Sequence, residues 1–315
     1  MSEQAAPVRA VRPAQLARGE PRAIRRPGEA RSIGYLYILP AFVVYGLFVL
    51  LPLVHSGVLS FYEWDGVTPG TFVGFDNYRL LLADPILKSA FAHALVLIVF
   101  YSLLPVAIGL LLASSIARVR VRGLAWYRTI LFLPQVIPLV VVAVVWRWIY
   151  SPQAGPLNQG LDALGLDALS RSWLGDFTWA LPAVGLIGTW VMYGLCMVLF
   201  IAGVQKIPQD LYDAARVDGA GPLWEMRAVT LPHLRNEIAV ALTLTVIAAL
   251  RNFDLVYLTT KGGPGTATAV PALEVYNRAF TTGQVGVAST VGVTLAAAIL
   301  VITLGVSRIE RGDDA

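Results

Sequence analysis

Long apolar stretches without a single charged residue divide this sequence into segments. Five runs of 18 to 31 residues lack Asp, Glu, Lys and Arg, and they follow Arg31, Lys88, Arg128, Asp176 and Arg278. A helix needs about 20 apolar residues to cross a bilayer, whereas a soluble core does not require charge-free runs of this length. The apolar residues are contiguous rather than alternating with polar ones. The pattern therefore predicts membrane-spanning helices and excludes an outer-membrane β-barrel.

The hydrophobic pattern predicts six transmembrane helices in an all-α, polytopic bundle. We place them at 34–59, 91–116, 129–150, 179–203, 237–258 and 285–307. The fifth is interrupted by Arg251 and Asp254, and it is the weakest of the six by hydropathy. Prolines such as Pro134 and Pro138 lie inside several spans, where each removes a backbone donor and bends its helix. The six helices form one predicted domain, residues 33–308.

The two ends of the chain are predicted to be tails. Residues 1–32 contain four prolines among seven arginines, a composition that resists a packed fold and predicts a disordered cytoplasmic segment. The apolar run that follows is too long for a signal peptide and lacks a small-residue cleavage site, so we expect an uncleaved anchor. Residues 309–315 form a short cytoplasmic tail.

The distribution of lysine and arginine predicts the orientation. With the N-terminus inside, the cytoplasmic segments hold 17 of these residues and the outer segments hold six. This asymmetry satisfies the positive-inside rule and places both termini in the cytoplasm. Trp146 and Trp148 flank Arg147 at the predicted outer end of the third helix, as expected of an interfacial belt.

Composition narrows the function classes. Hydrophobic residues make up 57% of the 315 positions and charged residues 14%, against about 25% charge in an ordinary soluble domain. This balance excludes a soluble enzyme, a disordered chain and a nucleic-acid binder. The net charge of +4 follows from arginines beside the helices. The one cysteine, Cys196, lies within an apolar run and is expected to pack there.

The segment 204–236, between the fourth and fifth spans, predicts a compact helix–turn–helix in the cytoplasm. Pro208 is suited to start a short helix, and Gly219 to end it in the left-handed conformation. Pro222 then starts a second helix, which we expect Pro232 to end. Small residues at the first helix and Trp224 in the second would let another protein dock here, while Trp224 would equally anchor a loop lying flat on the membrane.

Three features in this segment form a spaced pattern: Asp213-Ala214-Ala215, then Gly219, then Val229-Thr230-Leu231-Pro232. The pattern resembles the "EAA" loop of binding-protein-dependent ABC importer permeases, with Asp in place of the usual Glu. Further matches resemble the sugar-transporting branch, which includes maltose and glycerol-phosphate importers. They are Ser60–Asp65, Gly74–Tyr78, Leu258–Pro264 and the residues from Tyr276 to Ser289. The resemblance covers residues 34–307 in order.

The resemblance implies a type I importer fold and a set of partners. It implies a second permease subunit, an ABC ATPase dimer, an extracytoplasmic solute-binding protein, membrane lipid and a sugar substrate, in a bacterial or archaeal plasma membrane. It also implies that 204–236 is a coupling loop that docks into the ATPase. Its expected coupling residues are Asp213, Ala214, Ala215, Asp218, Gly219, Trp224, Leu231 and Pro232. The sequence contains no Gly-Lys dipeptide and hence no phosphate-binding P-loop, so ATP hydrolysis is expected in a partner chain.

Substrate contacts are expected where ionisable residues lie inside a span, because each costs about 2.5–3.5 kcal/mol on insertion scales. Arg251 and Asp254 are three positions apart in the fifth span and would share one helical face. Asn252 and Tyr257 lie beside them. A structural ion pair near the helix end is the alternative. Trp190 and Tyr193 in the fourth span are further candidates, for which packing is the alternative.

Other function classes are less well supported. The three histidines, His55, His93 and His233, have no metal-like spacing, and the sequence contains no catalytic motif. We therefore expect no cofactor, no metal site and no catalytic residue. A secondary, ion-coupled transporter of small polar solutes is the alternative, but it would need buried carboxylates, and only Asp254 lies in a span. A membrane enzyme or a channel lacks any supporting motif. The sugar stays open: monosaccharide, disaccharide, longer glycan or glycerol phosphate.

Overall fold

A computed structural model describes residues 31–118 and 123–311, which are mostly helical. The α-helices of the described residues are α1 Arg31–Tyr45, α2 Leu51–Leu59, α3 Asp76–Ala83, α4 Pro85–Ile98, α5 Leu104–Arg118, α6 Leu124–Val136, α7 Leu139–Ile149, α8 Pro156–Ala163, α9 Ala180–Val204, α10 Gln209–Val217, α11 Pro222–Glu225, α12 Leu231–His233, α13 Arg235–Leu250, α14 Asp254–Thr259, α15 Pro271–Tyr276 and α16 Val285–Arg311. The predicted tail 1–32 lies outside the described residues except for its last two positions. The predicted C-terminal tail is helical as far as Arg311.

Short π-helical turns and one hairpin complete the secondary structure. The π turns are Gly46–Leu50, Val99–Leu103, Met226–Thr230 and Asn277–Thr281, and a 3₁₀ turn spans Asp167–Leu169. Strands β1 Tyr62–Glu63 and β2 Thr71–Phe72 pair antiparallel, with Tyr62 opposite Phe72. The first two π turns lie inside continuous helical segments, whereas the hairpin and the 3₁₀ turn connect helices.

Four unbroken helical segments are long and apolar enough to cross a membrane. They are Tyr35–Leu59, Pro85–Ile116, Ala180–Val204 and Val285–Val306. They correspond to the first, second, fourth and sixth predicted spans, the second beginning six residues earlier than predicted. Two bent helix pairs raise the total to six if each pair counts as one span.

The third predicted span, 129–150, is wrong as a single helix. Helices α6 and α7 meet at an angle of 94°. Pro138 has no N–H to donate, and the residue before a proline avoids the helical region. Ile137 accordingly takes an extended conformation with ψ of 130°. The proline expected to bend this helix breaks it instead.

The fifth predicted span, 237–258, is also wrong as a continuous helix. Helix α13 ends at Leu250, residues 251–253 are not helical, and the short α14 follows. Sixteen residues extend about 24 Å, which is shorter than the hydrocarbon core of a bilayer. Non-helical backbone at membrane depth is tolerated where it is covered by protein or lines a cavity.

Three other prolines each follow a π turn at the same distance. The turns end at Leu50, Leu103 and Thr230, and the prolines are Pro52, Pro105 and Pro232. A proline ring in an α-helix clashes with the carbonyl four residues earlier, and the wider π turn relieves that contact. The helices continue through Pro52 and Pro105, whereas the helix at Pro232 ends one residue later, at His233, and is bent by 77° from α13.

Helix α9 lies at the centre of the packing within residues 52–311. It contacts α5, α6, α13 and α14, and its apolar side chains are mostly buried. Glycines allow this approach, since a Cβ at Gly188 would lie 2.1 Å from the ring of Tyr101. One large apolar cluster forms around the N-terminal half of α9 and another around its C-terminal half.

Candidate functional site

The segment 204–236 folds as a helix–turn–helix, as the sequence predicts. Helix α10 follows Pro208, and Gly219 takes a left-handed φ of 81° after it. Pro222 occupies the first turn of α11. The second helix runs through the π turn Met226–Thr230 and ends at His233, one residue after the predicted end at Pro232 and before α13.

Polar contacts inside the segment hold its two halves together. Arg216 Nε donates to Glu225 Oε1 at 3.1 Å, and the Glu225 side chain is 5% exposed. The hydroxyls of Tyr212 and Thr230 are 3.1 Å apart and both residues are buried. These contacts join α10 to α11 and the π turn, so the loop is a packed unit.

Most of the expected coupling residues lie on the outside of this unit. Asp213, Ala214, Asp218, Gly219, Trp224 and Pro232 are exposed, while Ala215 and Leu231 are half-buried. Trp224 is 68% exposed and its neighbour Leu223 is 80% exposed. A Cβ placed at Gly219 would meet no atom within 4 Å. Apolar side chains and small residues thus share an accessible surface.

The break after α13 opens a cavity of about 320 Å³. It is enclosed by the π turn Val99–Leu103, α7, α9, α13 and the non-helical residues 251–253. Its lining residues are Tyr101, Leu139, Val191, Met192, Leu244, Ile247, Ala248, Arg251, Asn252, Phe253, Asp254 and Leu255. The structure therefore brings three of the predicted substrate residues to one cavity.

Asn252 is fixed at the wall of this cavity. Its Nδ2 donates to the hydroxyl of Tyr101 at 2.9 Å, and both residues are more than 90% buried. The prediction that Arg251 and Asp254 share one helical face is wrong. Helix α13 ends at Leu250 and α14 begins at Asp254, so the two residues do not belong to one continuous helix. No ion pair joins Arg251 to Asp254 in the described part of the chain. Both side chains are exposed and line the cavity separately.

The other predicted substrate residues lie around the cavity rather than in its lining. Trp190 packs edge-to-face on Trp146, with ring centroids 5.7 Å apart. Tyr193 follows the lining residues Val191 and Met192 on α9 and is half-buried. Tyr257 stacks on Phe253, whose ring lines the cavity, at a centroid distance of 5.1 Å.

Tyr101 is the residue that sequence reasoning missed. It lies in an apolar run of the second span, 151 positions before Asn252, and no local motif marks it. The one local signal is Pro105, four residues later, which is accommodated by the π turn that contains Tyr101. Such turns occur often at functional sites.

An ion pair joins the start of α4 to the π turn that precedes α16. Arg278 contacts Asp84, the residue before α4, and its Nη1 donates to Gln284 at 2.8 Å. Burial by itself would raise the pKa of Asp84. The backbone N–H of Ile86 and the Arg278 guanidinium outweigh burial and hold that pKa below its ordinary value. Residues 31–118 and 123–311 contain no group of three potential metal ligands.

Comparison with known proteins gives relatives along nearly the whole chain. A probable ABC transporter permease of Bacillus subtilis, YurN, is 38% identical over 282 residues, covering 89% of this chain and 95% of the relative. The diacetylchitobiose uptake permease NgcF of Streptomyces coelicolor is 36% identical and covers 85% of this chain and 79% of its own. These relatives confirm the resemblance to importer permeases.

A solved structure has the same fold. It is a bacterial alginate ABC transporter in complex with an alginate pentasaccharide-bound periplasmic protein. The superposition has a TM-score of 0.76 at 25% identity and covers 89% of this chain and 94% of the other. The prediction of a helical importer-type membrane fold is confirmed, while the cytoplasmic placement of both termini stays a prediction.

The family described as "Binding-protein-dependent transport system inner membrane component" matches residues 106–310. This range contains the helix–turn–helix, α13 with the break that follows it, and most of the cavity lining. Its members are transport-system membrane components, which confirms the predicted transport subunit in place of an enzyme. The chain belongs to this family of inner-membrane permease components.

Proposed function

We propose that this chain is one permease subunit of an ATP-driven importer that moves a sugar or sugar derivative through the cavity at the end of α13. The observation that carries the proposal is the helix break, which brings Arg251, Asn252 and Asp254 to one cavity of about 320 Å³. Discontinuous membrane helices supply polar groups for solutes at membrane depth. Both the diacetylchitobiose and the alginate relatives carry saccharides.

The polar residues of the cavity have complementary roles. Arg251 supplies hydrogen-bond donors, Asp254 supplies acceptors, and Asn252 supplies both through its amide. Sugar hydroxyl groups both donate and accept hydrogen bonds, so this combination suits them. The aliphatic lining residues, such as Val191 and Ile247, exclude water from the apolar faces of the sugar ring.

The helix–turn–helix at 204–236 is proposed to transmit force from the ATPase. Its exposed Trp224 and Leu223 offer anchors for a groove, and Ala214 permits close approach. Because Arg216–Glu225 and Tyr212–Thr230 hold the unit together, movement of the docked ATPase displaces the whole loop. The loop continues into α13, whose far end carries the cavity residues.

The complete importer would contain a second permease, an ATPase dimer and an extracytoplasmic binding protein. The match to an alginate transporter solved together with its periplasmic protein supports this composition. In the proposed cycle, closure of the ATPase dimer favours an outward-open state, and the sugar-loaded binding protein favours it further by binding it more tightly.

Reconstitution tests this proposal. The chain is assembled in proteoliposomes with a candidate second permease, ATPase and binding protein. ATP-dependent uptake is measured for glucose, maltose, diacetylchitobiose, an alginate oligosaccharide and glycerol 3-phosphate. We expect uptake of at least one of them, with ATPase activity stimulated by the loaded binding protein. Uptake driven by a proton or sodium gradient without ATP would instead establish a secondary transporter.

The loop is tested in the same assay with a matched pair of variants. Ala214→Arg places a large charge on the proposed docking surface and is expected to abolish ATP-dependent uptake. Ala163→Arg changes an exposed helical alanine in α8, outside the loop, and is expected to leave uptake intact. Normal uptake by Ala214→Arg would exclude docking through this surface.

A further inference from the structure

Four aromatic rings form a continuous series from the cavity towards the start of α16. We call Phe253, Tyr257, Tyr276 and Phe280 the aromatic row. Phe253 stacks on Tyr257 at a centroid distance of 5.1 Å and an interplanar angle of 16°. Tyr257 meets Tyr276 at 5.3 Å, and Tyr276 meets Phe280 at 5.5 Å. Tyr276 also contacts Phe253 directly, at 5.6 Å, so three of the rings form a packed group and Phe280 extends from it.

The row has one end in the cavity and one end in the open. Phe253 lines the cavity beside Asn252 and Asp254. Tyr257 and Tyr276 are half-buried, and Phe280, in the π turn that precedes α16, is 79% exposed. Phe253 and Tyr257 pack against the large apolar cluster around the N-terminal half of α9, although none of the four rings is fully buried. Packing against this cluster explains the positions of Phe253 and Tyr257 but not the exposed ring of Phe280.

The chemistry of the row suits a saccharide. An aromatic ring has a flat apolar face with negative charge density, against which the C–H groups of a pyranose ring pack favourably. The hydroxyls of Tyr257 and Tyr276 add hydrogen-bond donors and acceptors beside those faces. The spacing between neighbouring rings is comparable to the length of one sugar residue. A sugar would therefore exchange one stacking contact for the next as it moves.

Resting on the proposed function, we infer that the aromatic row is a stacking path that carries pyranose rings from the outer surface to the cavity at the break after α13. Phe280 is the entry contact, and Phe253 delivers the sugar to Asn252 and Asp254. The path acts after the sugar leaves its binding protein. Loss of a ring therefore lowers the amount of sugar delivered for each ATP hydrolysed.

The test uses the reconstituted importer and the five saccharide and phosphate probes named above, with uptake and ATP hydrolysis measured together. Phe280→Leu removes the ring but keeps an apolar side chain, and Phe280→Trp keeps a ring. Because Phe280 is exposed, both variants should fold. For a probe that wild type imports, we expect Phe280→Leu to lower uptake per ATP by about fivefold, and Phe280→Trp to stay close to wild type.

A matched control and a second position complete the design. Phe72→Leu changes another exposed phenylalanine, in β2, and should leave uptake per ATP unchanged. Tyr276→Leu should reproduce the Phe280→Leu defect, and Tyr276→Phe should not.

The inference is overturned if Phe280→Leu and Tyr276→Leu both keep the wild-type ratio of sugar to ATP, which would show an apolar packing surface. It is also overturned if Phe280→Leu lowers ATPase stimulation and uptake in proportion, because that result would place the binding protein on this ring. Failure of wild type to import any probe contradicts the proposed function itself, and the inference falls with it.

Discussion

The loop at 204–236 and the cavity after α13 are built in opposite ways. The contacts that hold the loop join residues close in sequence: Arg216 and Glu225 are nine positions apart, and Tyr212 and Thr230 are 18 apart. The hydrogen bond at the cavity wall joins residues far apart in sequence, and so does the ion pair at the start of α4. Asn252 bonds to Tyr101 over 151 positions, and Asp84 pairs with Arg278 over 194.

This difference determines which of the two regions can be predicted from the sequence. A surface made by one short segment must keep its residue types in a fixed order, and a spaced pattern records that order. A cavity wall collects one or two residues from each of several helices, whose relative rotation no local pattern records. The loop can therefore be predicted from the sequence, whereas the cavity cannot. The following variants test whether the two regions have separate functions.

The largest expected effect is on the loop. Trp224→Ala removes an exposed anchor, and truncating such an anchor typically costs about 2 kcal/mol of binding free energy, or about 30-fold in affinity. We expect the ATPase to bind the permease about 30-fold more weakly, measured by titration of the permease in nanodiscs. Sugar recognition at the cavity should not change.

Trp126→Ala provides the control, because Trp126 in α6 is 74% exposed and lies outside the loop. It should leave ATPase binding unchanged. Equal weakening by both variants would show that exposed tryptophans act only as membrane anchors, and the contrast between loop and cavity would lose its functional meaning.

An intermediate effect is expected at the cavity. Tyr101→Phe removes the acceptor that holds the Asn252 amide, and a net hydrogen bond contributes about 1 kcal/mol. We expect the KM of uptake to rise about fivefold with ATPase binding unchanged. Tyr150→Phe is the matched control, because Tyr150 is buried and its hydroxyl donates to the carbonyl of Ala183 at 3.2 Å. Neither Tyr150 nor Ala183 lines the cavity. An equal KM increase in both variants would contradict a positioning role for Tyr101.

The smallest effect concerns the distant pair Asp84–Arg278 and its pH dependence. The pKa of Asp84 is lower in the folded protein than in the unfolded chain, so its ionisation stabilises the fold above the unfolded pKa of about 3.9. That contribution is lost as the pH falls through the folded-state pKa.

Asp84→Asn should therefore be less stable than wild type at pH 7, by less than about 1 kcal/mol. The difference should begin to shrink below about pH 4, where Asp84 of the unfolded chain becomes protonated, and it should disappear once the pH is below the lowered pKa of Asp84 in the folded protein. Thermal unfolding of the purified full chain between pH 7 and pH 3 measures it. A difference that persists unchanged at pH 3 would mean that the ion pair is not its source.

The helical spans show which features of a membrane helix hydropathy can predict. Four of six were predicted close to their observed bounds, because burial in lipid requires contiguous apolar residues whatever the tertiary packing. The same rule failed at 129–150, where apolar residues continue through the break at Pro138, and at 237–258, where the helix ends before the polar residues Arg251 and Asn252. Hydropathy predicts whether a residue favours an apolar environment. It does not predict whether the backbone at that residue is helical.

Prolines illustrate the same limit. Pro138 breaks its helix, whereas Pro52 and Pro105 follow π turns and do not. Each proline carries the same local penalty. The neighbouring helices decide whether a wider turn or a sharp bend is the better packed solution.

By itself the sequence determined a membrane protein of apolar helices, the position of its helix–turn–helix and the family to which it belongs. Each of these depends on residues that are neighbours along the chain. Only the tertiary structure decided that α13 ends at Leu250, that Tyr101 holds Asn252, and that Arg251 and Asp254 line a cavity instead of sharing a helical face. Those features depend on how helices pack against α9, and packing joins residues whose separation in sequence leaves no periodic trace.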